Sequence, residues 1–146
     1  MQRYIILLFS CVLLMGISPT PIGIMELTIE DIKYNHGTLW IGIYPSEEAF
    51  LDKSQAKLVS VKAGDRNTQK IELDGLSYGD YAIALFHDLN DNDEMDLNWL
   101  GVPQEPFAFS RPAPSKWRLP EFSEVKVSFY QQRKTIHTKL SSWWDY

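Results

Sequence analysis

Apolar and polar side chains alternate along most of this chain, the period of a half-buried strand. Glu26-Leu27-Thr28-Ile29-Glu30 alternates in this way. Thr38 to Tyr44 follows the turn Asn35-His36-Gly37, with Leu39, Ile41 and Ile43 on one face and Trp40 and Tyr44 on the other. Lys57–Lys62 predicts a short strand. After the turn Ala63–Asn67, Thr68–Leu73 alternates again with Ile71 and Leu73 inward. Leu76–Tyr81 leads into Ala82–His87, apolar for most of its length, which predicts a central strand. Val125–Tyr130 alternates strictly and Thr135–Leu140 more weakly. Ser46–Leu51 predicts one or two helical turns, with Ser46 as the cap and Glu47 and Glu48 near the positive end. The chain has no internal repeat and no long amphipathic helical pattern. About seven short strands separated by turns predict an all-β chain folded as an antiparallel β-sandwich. One long irregular loop runs from Asp88 to Glu124. Its prolines and aromatic residues predict packing against the sandwich, not disorder.

The first residues change the picture of where this sandwich works. Met1-Gln2-Arg3 is basic, Tyr4–Ile17 is almost wholly apolar, and Ser18-Pro19-Thr20-Pro21 breaks the run. That order reads as a secretory signal peptide over residues 1–24, leaving 25–146 as a single secreted or periplasmic domain. An uncleaved N-terminal anchor is the rival. The apolar run is shorter than the roughly 20 residues a spanning helix needs, so no stable membrane span is expected after cleavage. Cys11, the sole cysteine, lies inside the leader. The mature chain would therefore have no disulfide, thiolate zinc site or cysteine nucleophile. The net charge is -5, with no basic run, which excludes nucleic acid as an expected partner. A monomer is expected, with an unidentified envelope or extracellular partner.

Candidate chemistry concentrates in His87-Asp88-Leu89-Asn90-Asp91-Asn92-Asp93-Glu94-Met95-Asp96. Ca²⁺ takes roughly 6–8 oxygens from carboxylates, amides, carbonyls and water. With Asp88 as the first position, Asn90 is third, Asn92 fifth, Glu94 seventh and Asp96 ninth. Those are the positions that the first half of an EF-hand loop uses, the seventh through its carbonyl. Two departures separate this loop from an EF-hand. Asp93 stands where that loop has Gly, and Trp99 stands where it has its bidentate Glu. The flanks read as a strand and irregular chain, not as two helices. The expected metal ligands are therefore Asp88, Asn90, Asn92, Glu94 and Asp96, holding a structural Ca²⁺. Asn98 and Glu105 are further candidates. A solvated acidic turn is the bland alternative, because Asp and Asn favour turns for local reasons. His87 beside Asp88 is weak catalytic evidence, since neighbouring strand residues point to opposite faces. The tail Trp143-Trp144-Asp145-Tyr146 is expected to dock on the sandwich or to fray.

A longer pattern runs through the same region. Gly79-Asp80-Tyr81-Ala82, then His87-Asp88-Leu89-Asn90-Asp91-Asn92 with Asp96, then Leu100-Gly101-Val102-Pro103-Gln104-Glu105-Pro106-Phe107-Ala108-Phe109-Ser110, resembles the family known as domain of unknown function 2141. Asp93 and Ala108 stand where that family usually has Gly. The resemblance implies a secreted or periplasmic bacterial protein with an immunoglobulin-like or prealbumin-like β-sandwich. It implies no reaction.

The reading is a secreted β-sandwich with a structural Ca²⁺ loop and a binding or accessory role. One rival is a small metal-assisted hydrolase or sugar-processing enzyme using His87, Asp88 and Glu105. The other is an apolar-ligand carrier, which calls for an apolar pocket between the sheets.

Overall fold

The computed structural model describes residues 20–145. The predicted leader core, Tyr4–Ile17 with Cys11, and the terminal Tyr146 lie outside them. Eight strands follow in order: β1 (Ile22–Glu30), β2 (Thr38–Tyr44), β3 (Lys57–Lys62), β4 (Gln69–Ser77), β5 (Gly79–Asp88), β6 (Phe107–Phe109), β7 (Val127–Phe129) and β8 (Arg133–Lys139). A one-turn helix, α1 (Phe122–Val125), precedes β7, and a 3₁₀ turn spans Trp143–Asp145. Ile22 already pairs with Ser77, so sheet pairing begins ahead of residue 25. No described helix is long and apolar enough to cross a membrane.

The strands form two sheets, a sandwich in which every pairing but one is antiparallel. The first sheet has the order β4-β1-β8, and its β1–β8 pair is parallel. The second has the order β3-β2-β5-β6, with β7 also on β5. Alternation decides what lies between the sheets. Leu39, Ile41 and Ile43 of β2 meet Met25, Leu27 and Ile29 of β1, all at most 1% exposed. Ile71, Leu73, Ile83 and Leu85 join the same core. Burying each such side chain is worth about 1.5–3 kcal/mol, which is what holds the sheets face to face.

On β5 the next residue out of each inward pair looks the other way. Ala82, with Phe122 and Val125 of α1, forms a smaller cluster on the outer face of the second sheet. The sandwich therefore has a partly covered outside, and the long 89–126 segment supplies the cover.

β6 and β7 are one interrupted strand along β5. Phe107–Phe109 pairs with Ala84–Phe86, and Val127–Phe129 pairs with Gly79–Tyr81. Ser110 bridges the break. Its hydroxyl accepts the Ile83 N–H at 2.9 Å and donates to the Val125 carbonyl at 2.6 Å, while its own N–H donates to the Ile83 carbonyl at 2.8 Å. A buried side chain thus stands in for ladder bonds that the excursion of residues 111–124 removes.

Three local expectations change. Ser46–Leu51 makes turns without becoming a helix. Ser46 Oγ accepts the Ala49 N–H at 3.3 Å, but Leu51 takes a positive φ of 64° and turns the chain away. The stretch expected to be irregular contains β6, too short for its alternation to register in sequence. The run expected as one strand from Val125 begins as the end of α1. The tail docks in part: Trp143 meets Trp117 edge-on and Asp145 accepts a 2.9 Å bond from Lys33, whereas Trp144 is 81% exposed.

Candidate metal-binding loop

β5 delivers His87 and Asp88 to its end on opposite faces. Both are fully buried. His87 Nε2 donates to the His36 carbonyl at 2.7 Å, which places the proton on that nitrogen, and Tyr34 packs edge-on against the ring. Nδ1 has no partner among the described residues. Burial holds the imidazole below its ordinary pKa, so it is neutral at neutral pH.

Asp88 closes the loop that follows. Its two carboxylate oxygens accept the N–H groups of Asn92 at 3.2 Å and Asp93 at 2.8 Å. Asn90 Oδ1 also accepts the Asn92 N–H at 3.2 Å, and Asn92 Oδ1 accepts the Glu94 N–H at 3.0 Å. Asn90 and Asn92 thus bond the backbone two residues ahead and Asp88 four and five ahead, so the chain curls around its own oxygens. The curl ends on Asp96, whose oxygens accept Nδ2–H bonds from Asn90 at 2.8 Å and Asn92 at 3.1 Å. Asp88, Asn90, Asn92 and Asp96 are thereby gathered in one turn. Glu94 enters through its backbone, bonded to Asn92.

The position where the sequence departs from an EF-hand turn is visible in the dihedrals, together with one that the sequence did not flag. Asp91 and Asp93 have φ of 56° and 66°. Asp93 occupies the left-handed conformation that Gly adopts freely, and Asp is among the few other residues that visit it routinely. Asp91 is drawn outward: Oδ1 accepts bonds from Thr38 Oγ1 at 2.6 Å and Lys62 Nζ at 2.9 Å. These donors hold its carboxyl below the ordinary range.

Glu105 and Asn98 serve the backbone. Glu105 is 4% exposed, and its two oxygens accept the N–H groups of Leu89 at 2.8 Å and Asp96 at 3.3 Å. It clamps the two ends of the loop together. Burial, with Asp88 and Asp96 nearby, pushes its carboxyl above the usual range. Asn98 Oδ1 accepts the N–H groups of Leu100 and Val102 within its own turn. Gly37 fixes the approach from the other side. At φ 84° it lies so close that an added Cβ would sit 2.2 Å from the Asp88 carbonyl oxygen.

Charge is unevenly cancelled. Lys62 pairs with Asp91, but among the described residues no ion pair reaches Asp88, Asp93, Glu94, Asp96 or Glu105. Lys53 comes close and bonds the Asp93 carbonyl, not its carboxylate. Among the described residues no three His, Cys, Asp or Glu side chains form a metal-holding group, so any ion here would depend on amide and carbonyl oxygens as well. The donor chemistry, oxygen only and with two carboxylates facing two amides, fits a hard cation and not zinc.

His87 Nε2 and both Glu105 oxygens are already engaged by backbone groups, although Asp88 lies near each residue. The large apolar groove lies on the outer face of the second sheet, not between the sheets. Trp40, Phe86 and Phe107 line it. The sequence offered only the shared face of Trp40 and Tyr44 as a hint of it.

A model of the family described as an uncharacterized protein conserved in bacteria, domain of unknown function 2141, matches residues 27–137. The chain belongs to that family. No curated protein and no solved structure gave a match to it.

Proposed function

We propose that this member of the family is an exported binding or accessory module whose Asp88–Asp96 loop holds a structural Ca²⁺. The observation that carries the reading is the curl itself: Asp88, Asn90, Asn92 and Asp96 gathered through consecutive side chain-to-backbone bonds. The uncancelled carboxylates around it support a cation as the missing charge. Asp88, Asn90, Asn92 and Asp96 would give side-chain oxygens and Glu94 its carbonyl. The ion's contribution would be positive charge among clustered acids, which would stiffen the start of the 97–121 segment.

Export rests on the basic, apolar and polar order of residues 1–21. Extracellular modules bind Ca²⁺ at about 10⁻⁴–10⁻³ M. Titration calorimetry on chelator-stripped protein tests the site. A saturable Ca²⁺ isotherm in this range, absent for Mg²⁺ and lost in Asp96→Ala, is expected. A flat Ca²⁺ trace from folded protein would overturn the reading.

A further inference from the structure

The outer face of the second sheet carries an apolar groove of about 680 Å³. Small-ligand sites run from about 300 to 1,000 Å³ and are mostly apolar, with a few placed polar groups. The register gives its floor. Gly42 and Ala84 face each other across β2 and β5, between Leu58 of β3 and Phe109 of β6. The adjoining cross-strand row, Trp40, Phe86 and Phe107, forms a wall. The Tyr44 ring lies over Gly42, where an added Cβ would stand 2.7 Å from the phenol oxygen. The loop supplies an opposite margin through Trp117 and Leu119, which remain 80% and 72% exposed. Such large side chains left out of the core leave apolar surface beside the groove that a ligand could cover.

One end of the groove carries two donors, Trp40 and Lys53, beside Asp93 and Glu94. Trp40 Nε1–H is buried with no acceptor among the described residues. The Lys53 ammonium lies 5.5 Å from the centroid of the same ring, held by the Asp93 carbonyl at 3.1 Å. No carboxylate among the described residues pairs with it. A cation beside an unpartnered donor selects an anionic acceptor, and the trough beyond it selects a chain without polar groups. We propose that the groove binds a free long-chain fatty acid, with its alkyl chain along the Gly42–Ala84 floor and its carboxylate at Lys53 and Trp40. Asp93 and Glu94 also border the groove. An ion in the neighbouring loop would offset their charge, so the assay runs in Ca²⁺ and in chelator. The groove stands without the ion reading, and either can fail alone.

The test is a titration of the purified protein with cis-parinaric acid, a fluorescent polyene fatty acid, followed by competition with hexadecanoic acid and hexadecanol. One saturable site is expected. The acid should displace the probe about tenfold better than the alcohol, the effect of one charge-assisted hydrogen bond. Lys53→Gln should erase that preference. Ala84→Phe should block the floor and abolish binding while the melting temperature stays near the parent's. Trp117→Ala, at an exposed position remote from the core, should weaken binding without affecting folding. Failure of folded parent to bind the probe overturns the proposal, as does full binding by Ala84→Phe. Equal displacement by acid and alcohol overturns the carboxylate assignment. Association only with phosphatidylcholine vesicles would make the face a bilayer contact and also overturn it.

Discussion

Replacing Asp88 by alanine removes the acceptor on which the loop closes. Asp88 Oδ1 shares the Asn92 N–H with Asn90, so that donor keeps a partner in the variant. The Asp93 N–H, bonded to Oδ2 at 2.8 Å, does not. Losing this bond to a carboxylate costs about 1.5–3 kcal/mol before any ion is considered. The cation adds a separate loss. With a Kd of about 0.1 mM and about 1 mM free Ca²⁺, linkage stabilises the folded state by about 1.4 kcal/mol. Urea unfolding followed by tryptophan fluorescence, in Ca²⁺, in Mg²⁺ and in chelator, separates the two. The parent should show a Ca²⁺-specific rise in midpoint. Asp88→Ala should have a lower midpoint in chelator and no Ca²⁺ response. Asp88→Asn keeps one oxygen acceptor without the charge, so it should recover part of the chelator stability and none of the response. A parent indifferent to Ca²⁺ refutes the ion site. A full-sized shift in Asp88→Ala refutes the ligand set, and an unchanged midpoint in chelator refutes a stabilising bond to Asp93.

Other substitutions test the frame around the loop. Ser110→Ala strands the Ile83 N–H and the Val125 carbonyl and should cost about 1–3 kcal/mol for each unpaired group in urea unfolding, with Ser110→Thr recovering most of it. Gly37→Ala should destabilise by more than about 1 kcal/mol, because the site combines positive φ with a backbone oxygen in the way. Its Ca²⁺ affinity should fall too, since Asp88 must move; an unaltered isotherm would contradict this. Glu124 accepts bonds from Arg118 and from the Glu121 N–H, which holds its carboxyl down to about 2. Its folded value lies below its unfolded one, so its contribution is complete above the ordinary carboxylate range and is lost as pH falls toward about 2. Carboxyl NMR titration should find that low value, and Arg118→Gln should return it toward about 4.3.

How legible each part was follows from how far apart its determinants lie. Alternation assigned Leu39, Ile41 and Ile43 to one face and Ile71 and Leu73 to the core, because side-chain direction in a strand depends only on neighbouring residues. The five loop positions from Asp88 to Asp96 were legible for the same reason, since their bonds span two to six residues. β6 was not, because three residues are too short for a period and its partner strand ends 19 residues upstream. The roles of Glu105 and Ser110 were visible only as polar exceptions. Which backbone groups they satisfy depends on where Leu89, Asp96, Ile83 and Val125 come to rest.

By itself the sequence determined a β-sandwich and an acidic loop shaped to curl on its own oxygens. Both arise from short-range period and spacing. The tertiary structure decided that β8 joins β1 in parallel, that Ser110 splices two strand pieces, and that Gly42, Ala84, Trp40 and Lys53 border one groove. Those outcomes depend on which strands become neighbours, and pairing across the sheet brings together residues whose separation along the chain carries no period.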